Sequence, residues 1–350
     1  LNVAPCTSRT GRLPPQAVVK VSRMPADTLP PTPAPAAPIG SSELSPPYTP
    51  RRQAHDLFLP LRGQRYHVLC WGDPAAVSPE APALVLLHGW MDVAASFQFM
   101  VDELDRLGAA PPCILAPDWR GFGLSTGPAT DSYWFPDYLG DLDALLDALL
   151  PSQAVDLLGH SMGGNVAMIY AGVRPDRVHK LINLEGFGLP QTKPDHAPKR
   201  YRAWLDELKD HAQMRHYTSV DAVAGRLREN NPRLTPDKAA WLAPHWAEQR
   251  ADGRWHILGD PAHKHSNPVL YRVDEVLACW REISAPVLWV EGANTDVAKW
   301  WGQRYPRADF DARIAEVKQL ERRVLEDCAH MLHHDQPAAL AGHLADFLAH

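Results

Sequence analysis

Between Val155 and Gly172 the chain leaves no room for a loop. The apolar run Val155-Asp156-Leu157-Leu158 passes through Gly159-His160-Ser161-Met162-Gly163-Gly164 directly into the helical stretch Asn165 to Gly172. A strand that becomes a helix within about one residue must hold the residue at its tip, Ser161, in a strained backbone conformation. Side chains two positions to either side would collide there, which gives Gly159 and Gly163 a steric reason. The turn also places the amide of Met162 at a helix N-terminus, aimed where an oxyanion would form if Ser161 attacked an acyl group. The pattern therefore constrains the fold to strands followed by covering helices, and points to a serine nucleophile.

The rest of the chain agrees with that geometry. Leu57 to Leu61 and Tyr66 to Trp71, separated by Arg62-Gly63, read as a β-hairpin. Further apolar runs follow at Ala83 to Leu87, Cys113 to Ala116, Lys180 to Leu184, Pro286 to Val290 and Arg323 to Leu325. Continuous rather than alternating apolar strands imply burial on both faces, hence an α/β protein whose mostly parallel sheet of eight strands is flanked by helices. Tyr138 to Leu150 shows the helical period, with Leu142, Leu145, Leu146 and Leu149 on one face and Asp141, Asp143 and Asp147 polar.

Two stretches depart from this rhythm. Residues 1–50 hold 12 of the 34 prolines, which remove backbone donors and fix φ, so a disordered arm is expected there. Residues 187–278 are long for one crossover and carry helical segments at Arg200 to Met214 and Ser219 to Arg228. They are expected to form a helical lid over the strand ends, where active sites of such sheets lie. The core is then expected to comprise 51–186 with 279–350. Trp204, Trp241, Trp246 and Trp255 belong to the lid, either lining an apolar pocket or forming the lid's own small core.

Composition narrows the partners. A net charge of -6 with no long basic block argues against nucleic acid. Five scattered cysteines without a C-x-x-C pair suggest neither a disulfide framework nor a zinc knuckle, and a reducing, cytoplasmic setting is expected. No run reaches the length of a membrane span, and Lys20 and Arg23 interrupt the only apolar stretch that could resemble an export signal.

Four motifs in order, His88-Gly89-Trp90-Met91-Asp92, Asp118-Trp119-Arg120-Gly121-Phe122-Gly123-Leu124-Ser125, Gly159 to Gly164, and His330 before Pro337, resemble those of the α/β-hydrolase fold superfamily over residues 55 to 350. The His-Gly-Trp opening with Ala94-Ala95-Ser96-Phe97 is most similar to its serine hydrolase-like branch of lidded esterases. The resemblance implies hydrolysis of a carboxylic ester or related acyl substrate through an acyl-serine intermediate, without metal or organic cofactor. Carbon-carbon bond hydrolysis with the same residues is the enzymatic alternative, a perhydrolase a more distant one, and a non-catalytic binding protein the alternative of another class. A serine at the elbow argues against the aspartate-based dehalogenase and epoxide hydrolase relatives.

A serine hydroxyl attacks only if an imidazole takes its proton and a carboxylate orients that imidazole. The resemblance assigns the base to His330, after Arg323-Val324-Leu325, and the acid to Asp296, after the strand Val287 to Val290. Asp296 stands one residue further from Gly292 than the common spacing, and Glu185, at the end of the preceding strand, is the alternative acid. Glu291 reads as a turn or surface carboxylate. The oxyanion hole is expected from the amides of Met162 and Trp90, with His88 and His160 as structural residues that hold their loops.

Overall fold

A computed structural model describes residues 46–210 and 213–350. Eleven strands occur among them: β1 (His55–Leu61), β2 (Gln64–Gly72), β3 (Leu84–Leu87), β4 (Cys113–Pro117), β5 (Val155–His160), β6 (Val178–Leu184), β7 (His216–Tyr217), β8 (Ala247–Gln249), β9 (Trp255–Ile257), β10 (Val287–Gly292) and β11 (Leu320–Leu325). Eight of these make one sheet in the order β1-β2-β4-β3-β5-β6-β10-β11, parallel from β4 onward, with β1 and β2 antiparallel. All eight expected strands are present. The β1–β2 turn has both central residues in the left-handed region, Arg62 at φ 48° and Gly63 at φ 77°, the geometry that matches strand twist in a two-residue hairpin.

The interior strands are apolar throughout because both faces are covered. Val85, Leu87, Leu115 and Leu157 face one layer, while Leu84, Leu86, Ile114 and Leu158, one residue out of phase, face the other. Helix α1 (Gln98–Arg106) lies on the second face through Phe99, Met100 and Leu104; α2 (Phe135–Leu149) lies on the first through Leu142, Leu145 and Leu146. Edge strand β11 is instead Leu-Glu-Arg-Arg-Val-Leu and largely exposed at its charged positions, which discourages pairing with another sheet.

This order places the site. The chain runs from β3 outward to β4, then back across to β5, so α1 and α2 cover opposite faces and a crevice opens beyond the carboxyl ends of β3 and β5. Ligands bind at such switch points. Helix α3 (Met162–Val173) follows β5 without a loop.

The insertion over these strand ends holds α4 (Ala197–Glu207), α5 (Val220–Asn230) and α6 (Pro236–Trp246), and also the small sheet β7-β9-β8, so it is not purely helical. It ends earlier than position 278. Helix α7 (Val273–Glu282) belongs to the core, where Val273 and Trp280 are buried. Gly172 of α3 approaches it so closely that a Cβ there would stand 1.9 Å from the Cys279 carbonyl oxygen.

The expected arm lies outside the described residues except for 46–50. That last piece packs onto the core: Tyr48 donates to Asp102 and meets Phe99 and Trp241 edge-on. The buried Asp102 carboxylate needs donors, and Tyr48 with the amides of Arg51 and Arg52 supplies them. Among the described residues no helix is long and apolar enough to cross a membrane.

Candidate active site

Ser161 adopts φ 51° and ψ -112° between β5 and α3, a conformation costing about 1–3 kcal/mol for a residue with a side chain. Packing enforces it. A Cβ on Gly159 would lie 2.3 Å from the Gly163 carbonyl oxygen, and one on Gly163 would lie 2.1 Å from that of Leu87. The Ser161 amide donates to Leu184 on β6 at 2.8 Å, so the neighbouring strand pins the turn.

His330, in the loop after β11, brings Nε2 to 3.0 Å from Ser161 Oγ. Its Nδ1 lies 2.6 Å from Oε2 of Glu185. The other oxygen of Glu185 accepts the Gly292 amide at 2.7 Å, and the carboxylate is wholly buried. An acceptor-only carboxylate at Nδ1 fixes the proton there and leaves Nε2 as the acceptor facing the hydroxyl. Serine, imidazole and carboxylate thus form one hydrogen-bonded line.

The carboxylate in that line is Glu185, and the expectation of Asp296 is corrected. Asp296 is exposed and its Oδ1 caps the amide of Ala298 at 3.0 Å, starting the short helix Ala298–Trp301. Glu185 gains its place because it directly follows β6, adjacent to β10, with φ 55°. That left-handed kink turns its longer side chain across the end of β10 toward His330. Glu291 is also not a surface residue: it is buried, accepts Trp289 Nε1 at 3.2 Å and pairs with Arg307 at 2.9 Å.

The two residues expected to supply amides to an oxyanion, Met162 and Trp90, line the same cavity as Ser161. Met162 is the first residue of α3, where helical amides lack intrahelical partners. Gly89, just before Trp90, sits against the nucleophile, since a Cβ on it would be 3.3 Å from Ser161 Cβ. Buried His88 holds that loop, with Nδ1 donating to Gly89 O at 2.8 Å and Nε2 accepting the Trp119 amide at 2.9 Å. Asp118 braces it further by accepting the amides of Ala94 and Leu124 at 2.7 Å and 2.8 Å. Arg120 instead forks onto buried Asp141.

His160 donates Nε2–H to the His330 carbonyl at 2.8 Å, tethering the histidine loop to the elbow. Burial, then nearby His333 and His330, holds its pKa well below the ordinary value, so it is neutral. Asp92, His160 and His333, all buried, are the cluster among the described residues with metal-type donors, their atoms within 4.8 Å of one another. The His333 Nε2 to Asp92 Oδ2 separation of 3.7 Å exceeds the roughly 3.3 Å edge of a tetrahedron with zinc–nitrogen bonds. Burial pushes the Asp92 carboxyl up, but His333 and its neighbours outweigh that and hold it low.

Two cavities meet at the hydroxyl. One, of about 500 Å³, is walled by Tyr133, Trp134, Phe135, Phe187, Leu189 and Trp301; the other, of about 890 Å³, opens under the insertion. Trp90, Ser161, Trp300 and His330 border both. Of the four insertion tryptophans only Trp246 lines either cavity, whereas Trp241 packs on Phe99 and Tyr48. The aromatic wall comes from the start of α2 and from the Trp300-Trp301 pair, a doublet visible in the sequence but without a periodicity that assigns it to a pocket.

The family model for the α/β hydrolase fold matches residues 82–337. A serine hydrolase-like protein of Danio rerio is 25% identical over 320 residues, covering 86% of this chain and 90% of the relative. The 3-hydroxybutyrate-oligomer hydrolase of Cupriavidus necator is 30% identical over 297 residues, covering 80% and 91%. Among solved structures, a thioesterase domain from the curacin biosynthetic pathway superposes with TM-score 0.70 at 26% identity, covering 84% of this chain and 99% of that one. The chain belongs to the α/β-hydrolase fold family.

Proposed function

We propose that the protein hydrolyses carboxylic esters or thioesters through an acyl-serine intermediate, with Ser161 as nucleophile, His330 as general base and acid, and Glu185 as the orienting carboxylate. The observation that carries this reading is the continuous line from Ser161 Oγ through the His330 ring to Glu185, at 3.0 Å and 2.6 Å, on a strained elbow. As Ser161 Oγ bonds to the substrate carbonyl carbon, its proton passes to His330 Nε2, and the Glu185 carboxylate stabilises the imidazolium. The carbonyl oxygen becomes an oxyanion between the amides of Met162 and Trp90, each worth on the order of 3 kcal/mol. Collapse breaks the bond to the leaving group, which takes the proton from Nε2. Water then repeats the sequence on the acyl-serine, releasing the acid and restoring the serine.

The similarity to a 3-hydroxybutyrate-oligomer hydrolase and to a thioesterase domain supports this substrate chemistry. A fluorophosphonate probe tests the reading: wild type labels and turns over 4-nitrophenyl butyrate, and Ser161→Ala does neither. Folded wild-type protein that resists the probe and turns over no ester or thioester sinks it and favours a binding role.

A further inference from the structure

Resting on that reading, the two cavities differ in a way that specifies the substrate. The smaller is aromatic. The larger is lined by five basic residues, Arg215, Arg226, Arg233, Lys264 and Lys299, of which Arg215, Arg233, Lys264 and Lys299 are exposed, against Asp296 and the buried Asp92. Arg226 is engaged by Glu229 at 3.0 Å and Arg233 reaches Asp327 at 3.5 Å. Arg215 and Lys299 have no carboxylate within ion-pair distance among the described residues, and Lys264 donates to the Gln213 carbonyl. This concentration of cations stands out in a chain of net charge -6, and a cleft lined by one sign of charge raises the local concentration of the opposite sign.

We propose that the natural substrate is an ester or thioester with an apolar group on one side of the scissile carbonyl and an anionic group, carboxylate or phosphate, on the other. The apolar half occupies the aromatic cavity. The anionic half lies in the larger one, beside Arg215 and Lys299, and because both cavities share Ser161 and His330 the scissile bond spans their junction. The insertion supplies four of the five bases, so it acts in charge selection as well as in covering the site.

The test compares kcat/KM within matched pairs. One pair places phosphate in the leaving group, hexanoyl-coenzyme A against hexanoyl-N-acetylcysteamine; the other places carboxylate in the acyl group, 4-nitrophenyl hydrogen adipate against 4-nitrophenyl hexanoate. In at least one pair the charged member should be preferred by about tenfold at low ionic strength. That preference should fall toward unity at about 0.5 M salt and drop about fivefold or more in Arg215→Gln/Lys299→Gln. Because the readout is a ratio, a general loss of activity in the double variant cancels. The pair that responds identifies the anion. Neutral members preferred in both pairs, or a preference insensitive to both salt and the double variant, overturns the proposal while leaving hydrolysis intact. Absence of any turnover together with absence of fluorophosphonate labelling overturns the hydrolase reading itself.

Discussion

Replacing Glu185 by glutamine separates the carboxylate's charge from its shape. The Glu185 side chain is fully buried, with one oxygen on the Gly292 amide and the other on His330 Nδ1. In the variant the amide oxygen still accepts from Gly292, so the NH₂ group faces Nδ1. Two donors cannot share that contact. The imidazole must move its proton to Nε2, which then points N–H at Ser161 and can no longer accept the hydroxyl proton. The charge is lost as well: a carboxylate and an imidazolium about 4 Å apart attract by about 4 kcal/mol at an effective dielectric of 20, a factor of about 10³ in rate. With the wrong tautomer added, kcat on 4-nitrophenyl butyrate should fall by about 10³–10⁴, with little change in melting temperature. Asp296→Asn, altering only an exposed cap on Ala298, should cost less than about threefold in kcat. A loss below about tenfold in Glu185→Gln, or about a hundredfold in Asp296→Asn, would refute the assignment.

Two further outcomes follow from the elbow and from the buried histidines. Gly163→Ala drives a Cβ to 2.1 Å from a backbone oxygen of β3; it should cost about 3 kcal/mol or more and lower the melting temperature by about 5–10 °C, and a shift under about 2 °C would contradict the close approach. His263, stacked between Phe122 and Tyr133 at 3.7 Å and 3.8 Å, is lowered to about 4, chiefly by burial. A folded pKa below the unfolded value near 6.5 means that protonation favours the unfolded chain. The contribution is therefore whole above pH 6.5 and is lost as pH falls toward 4. By pH 5 His263 should account for about 2 kcal/mol of lost stability. His67, whose pKa is raised, opposes part of the total, so the comparison is with His263→Phe: urea unfolding at pH 7.5 and 5 should show that variant losing less, and equal losses would sink the argument.

The sequence by itself determined the elbow and the sheet. Gly159, Ser161 and Gly163 encode a local steric demand, and each interior strand is an unbroken apolar run, so both were legible from neighbours along the chain. Charge selection was harder to read, because the five bases of the larger cavity are spread from Arg215 to Lys299 and converge only when the insertion folds over the strand ends. Which carboxylate meets His330 was decided by tertiary structure alone. Glu185 and His330 are 145 positions apart, and two carboxylates end adjacent strands or their loops. Only the φ 55° kink at Glu185, the reach of one more methylene than aspartate has, and the Gly292 amide waiting on β10 choose between them. Those are contacts between strand ends, set by the order in which strands lie side by side, and no local pattern of residues carries that information.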